Sequence, residues 1–155
     1  MKKIGLILTC LLLLVAAGGC GQIAMTPDTL AAIAQAAGST AGQASVPKVL
    51  TVDRARQVIQ VVDALRPVAQ AVQTPNEIGT KLGPAIDAQV AKFVVDPTAR
   101  AIASAVISAG LGAGESYLKA HPDLAKQAGV AGLVADAALL GLRNGLAAGI
   151  AKNGG

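Results

Sequence analysis

The chain of 155 residues is 53% hydrophobic, yet it has one Tyr, one Phe and no Trp, with 13 Lys and Arg against 9 Asp and Glu for a formal charge of +4. Ligand pockets and protein hot spots ordinarily recruit aromatic side chains, so no small-molecule substrate is evident, and the Ala, Val, Leu and Ile content points to helix packing. The basic residues are scattered, which speaks against the clustered cationic footprint of a nucleic-acid binder.

In chain order, Met1-Lys2-Lys3 is a short cationic start, followed by an apolar run from Ile4 to Ala17 that is interrupted by Gly5, Thr9 and Cys10. The run suits a secretory signal and falls short of the ~20 residues that span a bilayer. It closes on Ala17-Gly18-Gly19-Cys20, and small side chains are what a signal peptidase cleft admits next to the cut. This stretch resembles the lipobox of bacterial lipoproteins, usually Leu-Ala/Ser-Gly/Ala-Cys. Ala17 stands where Leu is preferred and Gly18 is a less common second residue, while Gly19 and Cys20 fit. The resemblance covers only the first 20 residues. It implies removal of residues 1–19, a diacylglyceryl thioether on the Cys20 sulfur and acylation of the new α-amine. Each buried CH₂ adds about 0.8 kcal/mol, so several acyl chains make membrane attachment effectively permanent. Cys10 is discarded with the signal. Without lipidation, Cys20 would be a lone exported thiol in need of an intermolecular partner. In enteric-type lipoproteins Asp after the anchor retains the protein at the inner membrane; Gly21 stands there, so the resemblance favours the outer membrane of the cell envelope.

Removal of the signal leaves about 136 residues, enough for one modest domain. Lys2 and Lys3 leave with it, so 13 basic residues become 11 against 9 acidic ones. Thr26 can cap a short helix that begins at Pro27 and continues through Leu30 to Ala37. Gly38 to Pro47 has neither periodicity nor charge and reads as a flexible tether. Residues 20–50 are thus expected to hold anchor, short helix and linker, and residues 51–155 a helical domain.

Thr51, Ala55, Val58, Val62, Leu65, Ala69 and Val72 recur at spacings of four and three, predicting a helix over 51–73 with Ile59 and Val68 widening its apolar stripe. Pro67 predicts a kink there or a break near Arg66. Thr74-Pro75-Asn76-Glu77 has the form of a capping box, ahead of an apolar side of Ile78, Leu82, Ile86, Val90 and Phe93/Val94 that Gly83-Pro84 interrupts. Asp96-Pro97 and His121-Pro122-Asp123 are further proline-led starts. Ala101 to Gly114 carries no charge, and Gly141, Gly145 and Gly149 recur at spacing four in the last segment, the pattern that lets helix backbones approach closely in membranes. Asp136 and Arg143 oppose a lipid-facing span, at about 2.5–3.5 kcal/mol each at a bilayer centre.

The expected fold is therefore all-α, a small bundle of four or five helices ending in an Ala/Gly-rich antiparallel hairpin. A turn at Lys119-Ala120-His121-Pro122 would set Glu115 against Lys126, Ala109 against Gly132 and Ala105 against Asp136. Asp136 would then reach the hydroxyls of Ser104 or Ser108, and Arg143 would come near Asp96 and Arg100.

No catalytic constellation emerges. His121 is the lone histidine and reads as a turn or capping residue. Ser39, Ser45, Ser104, Ser108 and Ser116 lack a nucleophile elbow, and Gly110-Leu111-Gly112-Ala113-Gly114 lacks the strand and Gly-Lys-Ser/Thr of a phosphate loop. Asp63, Asp87 and the other carboxylates are spread singly. No metal, cofactor or catalytic site is assigned, and Cys20 is the one site residue, for lipidation. The expected function is a non-enzymatic, lipid-anchored envelope scaffold or interaction module, held to the membrane by acyl chains, with an envelope protein or a second copy as possible partner. The alternatives are a membrane-active protein whose last two helices insert or oligomerise, and a phage or plasmid lipoprotein that blocks an envelope receptor.

Overall fold

The computed structural model describes residues 25–154, so the signal segment and Cys20 lie outside the described residues. Every regular element among the described residues is helical: α1 (Pro27–Ser45), α2 (Val52–Gln70), a single turn α3 (Pro75–Glu77), α4 (Gly83–Phe93), α5 (Pro97–Ala120), a second single turn α6 (Pro122–Ala125) and α7 (Val130–Gly154).

Helix α1 starts as its sequence dictates, with Thr26 Oγ1 accepting from the Thr29 N–H at 3.2 Å and Pro27 in the first turn. It does not stop at Ala37. The segment read as a flexible tether, Gly38 to Pro47, is helical as far as Ser45, and Gly38 and Gly42 are buried on the face that also buries Leu30 and Ala34. Gly is a poor helix former by about 1 kcal/mol against Ala, and here packing overrides propensity. A Cβ at Gly42 would lie 2.5 Å from the Leu142 carbonyl oxygen and 2.7 Å from the Leu146 nitrogen, both backbone atoms of α7. The segment expected to be a linker is therefore a helix packed on α7.

The α7 side of this contact is built the same way. Gly141 packs on the backbone of Gln35, Gly145 on that of Ser39, and Gly149 on the Val46 side chain. Numbers rise together along both helices, so α1 and α7 are parallel, interlocked through glycines one turn apart. α7 is the centre of the molecule: Val134, Ala138, Leu139, Leu142 and Leu146 are all fully buried, as befits a helix apolar around most of its circumference.

Helix α2 carries the predicted seam inward. Ala55, Val58, Val62, Leu65, Ala69 and Val72 are buried, with Val61 joining them. Pro67 lies inside α2, which continues to Gln70 with no break at Arg66. Pro67 is on the exposed side, so the Asp63 carbonyl that loses its partner is on the solvent-facing side of the helix. The capping box at Thr74 forms only in part. The Thr74 side chain makes no cap bond, whereas Glu77 reaches back one residue further than expected and accepts from the Gln73 N–H at 2.9 Å. This bond, followed by the Lys81 ammonium, holds the Glu77 carboxyl below its ordinary range. Gly83-Pro84 does not split the next helix, because a π-helical turn over Ile78–Leu82 precedes α4. That wider turn absorbs the clash of a proline ring with the carbonyl four residues earlier. Ile78, Leu82, Ile86, Val90 and Val94 are buried as patterned.

Helix α5 opens at Asp96, whose Oδ1 accepts from the Ala99 N–H at 2.6 Å. Asp96→Ala should lower the unfolding free energy by about 1 kcal/mol, read as a lower urea midpoint at unchanged slope. At the other end the predicted four-residue turn is replaced by a longer connection. α6 is one turn only, and α7 begins after Gly129, whose φ of +79° is left-handed backbone that glycine supplies without strain. The register predicted from a turn at Ala120–His121 is therefore displaced. Gly132 faces the carbonyl oxygens of Ala69 and Gln70 on α2, and of Val72 just after it, instead of Ala109, while Gly110 meets Leu142 and Gly114 meets Val134. Glu115 pairs with Lys119 on its own helix at 2.7 Å, not with Lys126.

Candidate functional site

The one residue assigned a site from sequence, Cys20, falls outside the described residues. Within them, the charged groups converge where α2 crosses α7. Arg66 donates to Asp136 through Nε at 2.7 Å and through Nη2 at 3.1 Å, and Gln70 Nε2 adds a third bond to the same carboxylate at 3.0 Å. One turn earlier on α2, Asp63 accepts from Arg143 Nε at 2.8 Å. The hydroxyls of Ser104 and Ser108 are thus not the partners of Asp136, and Arg143 pairs with Asp63 rather than approaching Asp96 and Arg100. Arg100 instead donates to the Val94 carbonyl at 2.6 Å.

Burial disfavours the charged form of Asp136, but the bonds from Arg66 and Gln70 and the Arg66 charge outweigh it and hold the carboxyl below its ordinary range. The same pairing raises Arg66 above its already high value. Both shifts favour the charged forms of the pair. The arrangement is an orientation device: an Asp and an Arg on α2 meet an Arg and an Asp on α7, and reversing either helix would bring like charges together.

The other residues weighed for chemistry are engaged locally. His121 Nδ1 lies 3.0 Å from the Tyr117 carbonyl oxygen, one turn back. Ser45 Oγ donates to the Ala41 carbonyl and Ser116 Oγ to that of Gly112, each at 2.8 Å. Gly110 to Gly114 is α5 helix, its Gly110 and Gly114 turned inward. No group of three or more His, Cys, Asp or Glu among the described residues could hold a metal ion.

The chain matches no protein-family model, no curated protein and no solved structure.

Two open clefts lie at opposite ends of the molecule. One, of about 530 Å³, sits where α1 and α7 end side by side, with Thr40, Gln43, Lys48, Lys152 and Asn153 around Val46. Lys48 and Lys152 complement the negative ends of two parallel helix dipoles. The other, of about 300 Å³, lies between the α2–α3 turn and the α5–α6 corner, with Thr74, Asn76, Lys119 and Lys126 over Leu118 and Pro122.

What the sequence reading missed is the α1–α7 contact and Arg66 as the partner of Asp136. The first had a signal: Gly38 and Gly42 repeat the four-residue spacing of Gly141, Gly145 and Gly149. The second had none, because it depends on which helices become neighbours.

Proposed function

We propose that this is a non-enzymatic, lipid-anchored protein of the bacterial cell envelope, attached through acylated Cys20, whose helical domain serves as a scaffold or interaction module. In this reading α1, α2, α4, α5 and α7 act as one bundle, and α5 with α7 forms its closing antiparallel pair, which the opposed order of Gly110–Leu142 and Gly114–Val134 supports.

The observation that carries the reading is where the small-residue faces go. Val130–Asn153 is the one described stretch long and apolar enough to cross a membrane, and the membrane-active alternative needs its glycine face free to pack against other helices in lipid. Gly141, Gly145 and Gly149 already lie on α1, and Asp136 and Arg143 are paired with α2. α7 is equipped as the core helix of a water-exposed domain.

Mass spectrometry of the mature protein tests the anchor. The expected N-terminal peptide starts at Cys20 and carries acyl groups; an unmodified chain beginning elsewhere ends the proposal. Cys20→Ser behind an exchanged type I signal should yield a protein that partitions into the aqueous phase of a detergent separation. Partition into the detergent phase would favour insertion.

A further inference from the structure

The described chain begins close to the residue proposed to carry the lipid. Five residues lie between Cys20 and the cap Thr26, and the six steps from one to the other span at most about 20 Å when fully extended. Because α1 is helical to Ser45, no flexible spacer follows to lift the domain away. The direction of α1 then decides which end of the molecule lies near the lipid.

That end can be identified residue by residue. α7 is level with α1 through Gln35–Gly141 and Ser39–Gly145, so Thr26 stands level with the first turn of α7, near Gly132. Gly132 in turn touches the end of α2 at Ala69 to Val72. Gly114 on α5 meets both Ala34 and Val134, which carries the end of α5, the turn α6 and the loop to Gly129 to the same level. All of these corners share one end. The ends of α1 and α7, with Lys48 and Lys152, lie at the other, about 27 Å away along α1 and about 30 Å away from Gly132 to Lys152 along α7, at 1.5 Å rise per residue.

We infer that the end built from the α2–α3 turn, the α5–α6 corner and the start of α7 rests on the phospholipid surface, with Lys119 and Lys126 facing lipid phosphates. This rests on the proposed lipidation of Cys20. The chemistry of this end suits it. Lys119 and Lys126 flank the smaller cleft with the hydroxyl of Thr74 and the amide of Asn76, Ala128 and Gly129 are exposed, and Leu133 on the first turn of α7 is 42% exposed. Glu115 sits one turn inside and holds Lys119 from within, while Asp123 is the carboxylate of α6. Asp28 in the first turn of α1 and Glu77, paired with Lys81, belong to the same end, so the contact with the phosphates would be local, through the Lys119 and Lys126 ammonium groups beside the cleft, and not the result of a net positive charge.

The test uses the acylated protein in vesicles of phosphatidylethanolamine and phosphatidylglycerol. The acylated mature chain has no free thiol, since Cys10 leaves with the signal and the Cys20 sulfur is blocked. Ala128→Cys and Ala147→Cys, both at exposed positions, therefore each accept one environment-sensitive fluorophore. Spin-labelled lipid headgroups should quench the label at 128 several-fold more than the label at 147, and Lys119→Glu with Lys126→Glu should reduce quenching at 128. Equal quenching, or stronger quenching at 147, in protein shown by mass to be acylated overturns this inference and leaves the anchor standing. An unacylated chain that does not bind vesicles overturns both.

Discussion

Gly141→Ala and Gly145→Ala should each destabilise the protein by about 3 kcal/mol or more, the upper end of what overpacking costs. In an ordinary helix the same substitution stabilises by up to about 1 kcal/mol, so here the sign is reversed by a neighbour. A Cβ at 141 would overlap the carbonyl oxygen of Gln35 and one at 145 that of Ser39, both backbone atoms that can move only if α1 moves. Gly112→Ala on α5 is the internal control: nothing lies within 4 Å of its Cβ position, and it should be neutral or stabilising. Urea titration of the chain from Cys20 onward, with Cys20→Ser, reads all three. With total stability of order 5–15 kcal/mol, the double variant at 141 and 145 is expected to lose its cooperative transition. A fully cooperative double variant at wild-type midpoint would show that α1 and α7 do not touch in this way.

Asp136→Ala should cost about 2 kcal/mol, between the 0–1 of an exposed pair and the 3–5 of a broken buried one. The side chains of Arg66 and Asp136 are 30% and 18% exposed, against 41% and 46% for Arg143 and Asp63. Asp63→Ala should therefore cost less than about 1 kcal/mol, although both pairs bridge the same two helices. Exchanging the partners, Arg66→Asp with Asp136→Arg, should recover part of the loss, and the double-mutant cycle reads the coupling. The pH dependence has a definite sign. The folded-state pKa of Asp136 lies below its unfolded value, so its contribution is complete above the ordinary carboxylate range and is lost as pH falls through the folded pKa. Asp136→Asn should flatten the acid limb of a stability–pH curve at the carboxylate pH range and leave the curve unchanged in shape near neutral pH.

Periodicity made the local elements legible. The 51–73 seam and the Ile78-to-Val94 side turned inward as patterned, and Thr26, Thr51 and Asp96 accept from backbone N–H groups three residues on. Two kinds of feature were not legible. Propensity argued for a tether at Gly38–Pro47, because glycine and the absence of charge mean a loop unless another backbone comes close enough to need them. The register of the last two long helices depended on where their connection ends, and the turn α6 with the loop closing at left-handed Gly129 carries it well beyond four residues. Asp136 and Arg143 showed that α7 needed polar neighbours. Which helix supplied them was a matter of tertiary arrangement. For Cys20 the sequence remains the whole argument.

The partnership of α1 with α7 also sets the order in which the chain can fold. Ribosomes make the first of these helices roughly a hundred residues before the second, a separation that slows folding because the intervening loop must close before the contact is rewarded. Until the final segment emerges, Gly38 and Gly42 have nothing to pack on, and α1 is a glycine-bearing helix with little reason to persist by itself. The nascent chain is thereby kept open to the last, which would suit the export proposed for it. A stop codon placed before Gly141 would not trim such a protein; it would leave a chain that never closes.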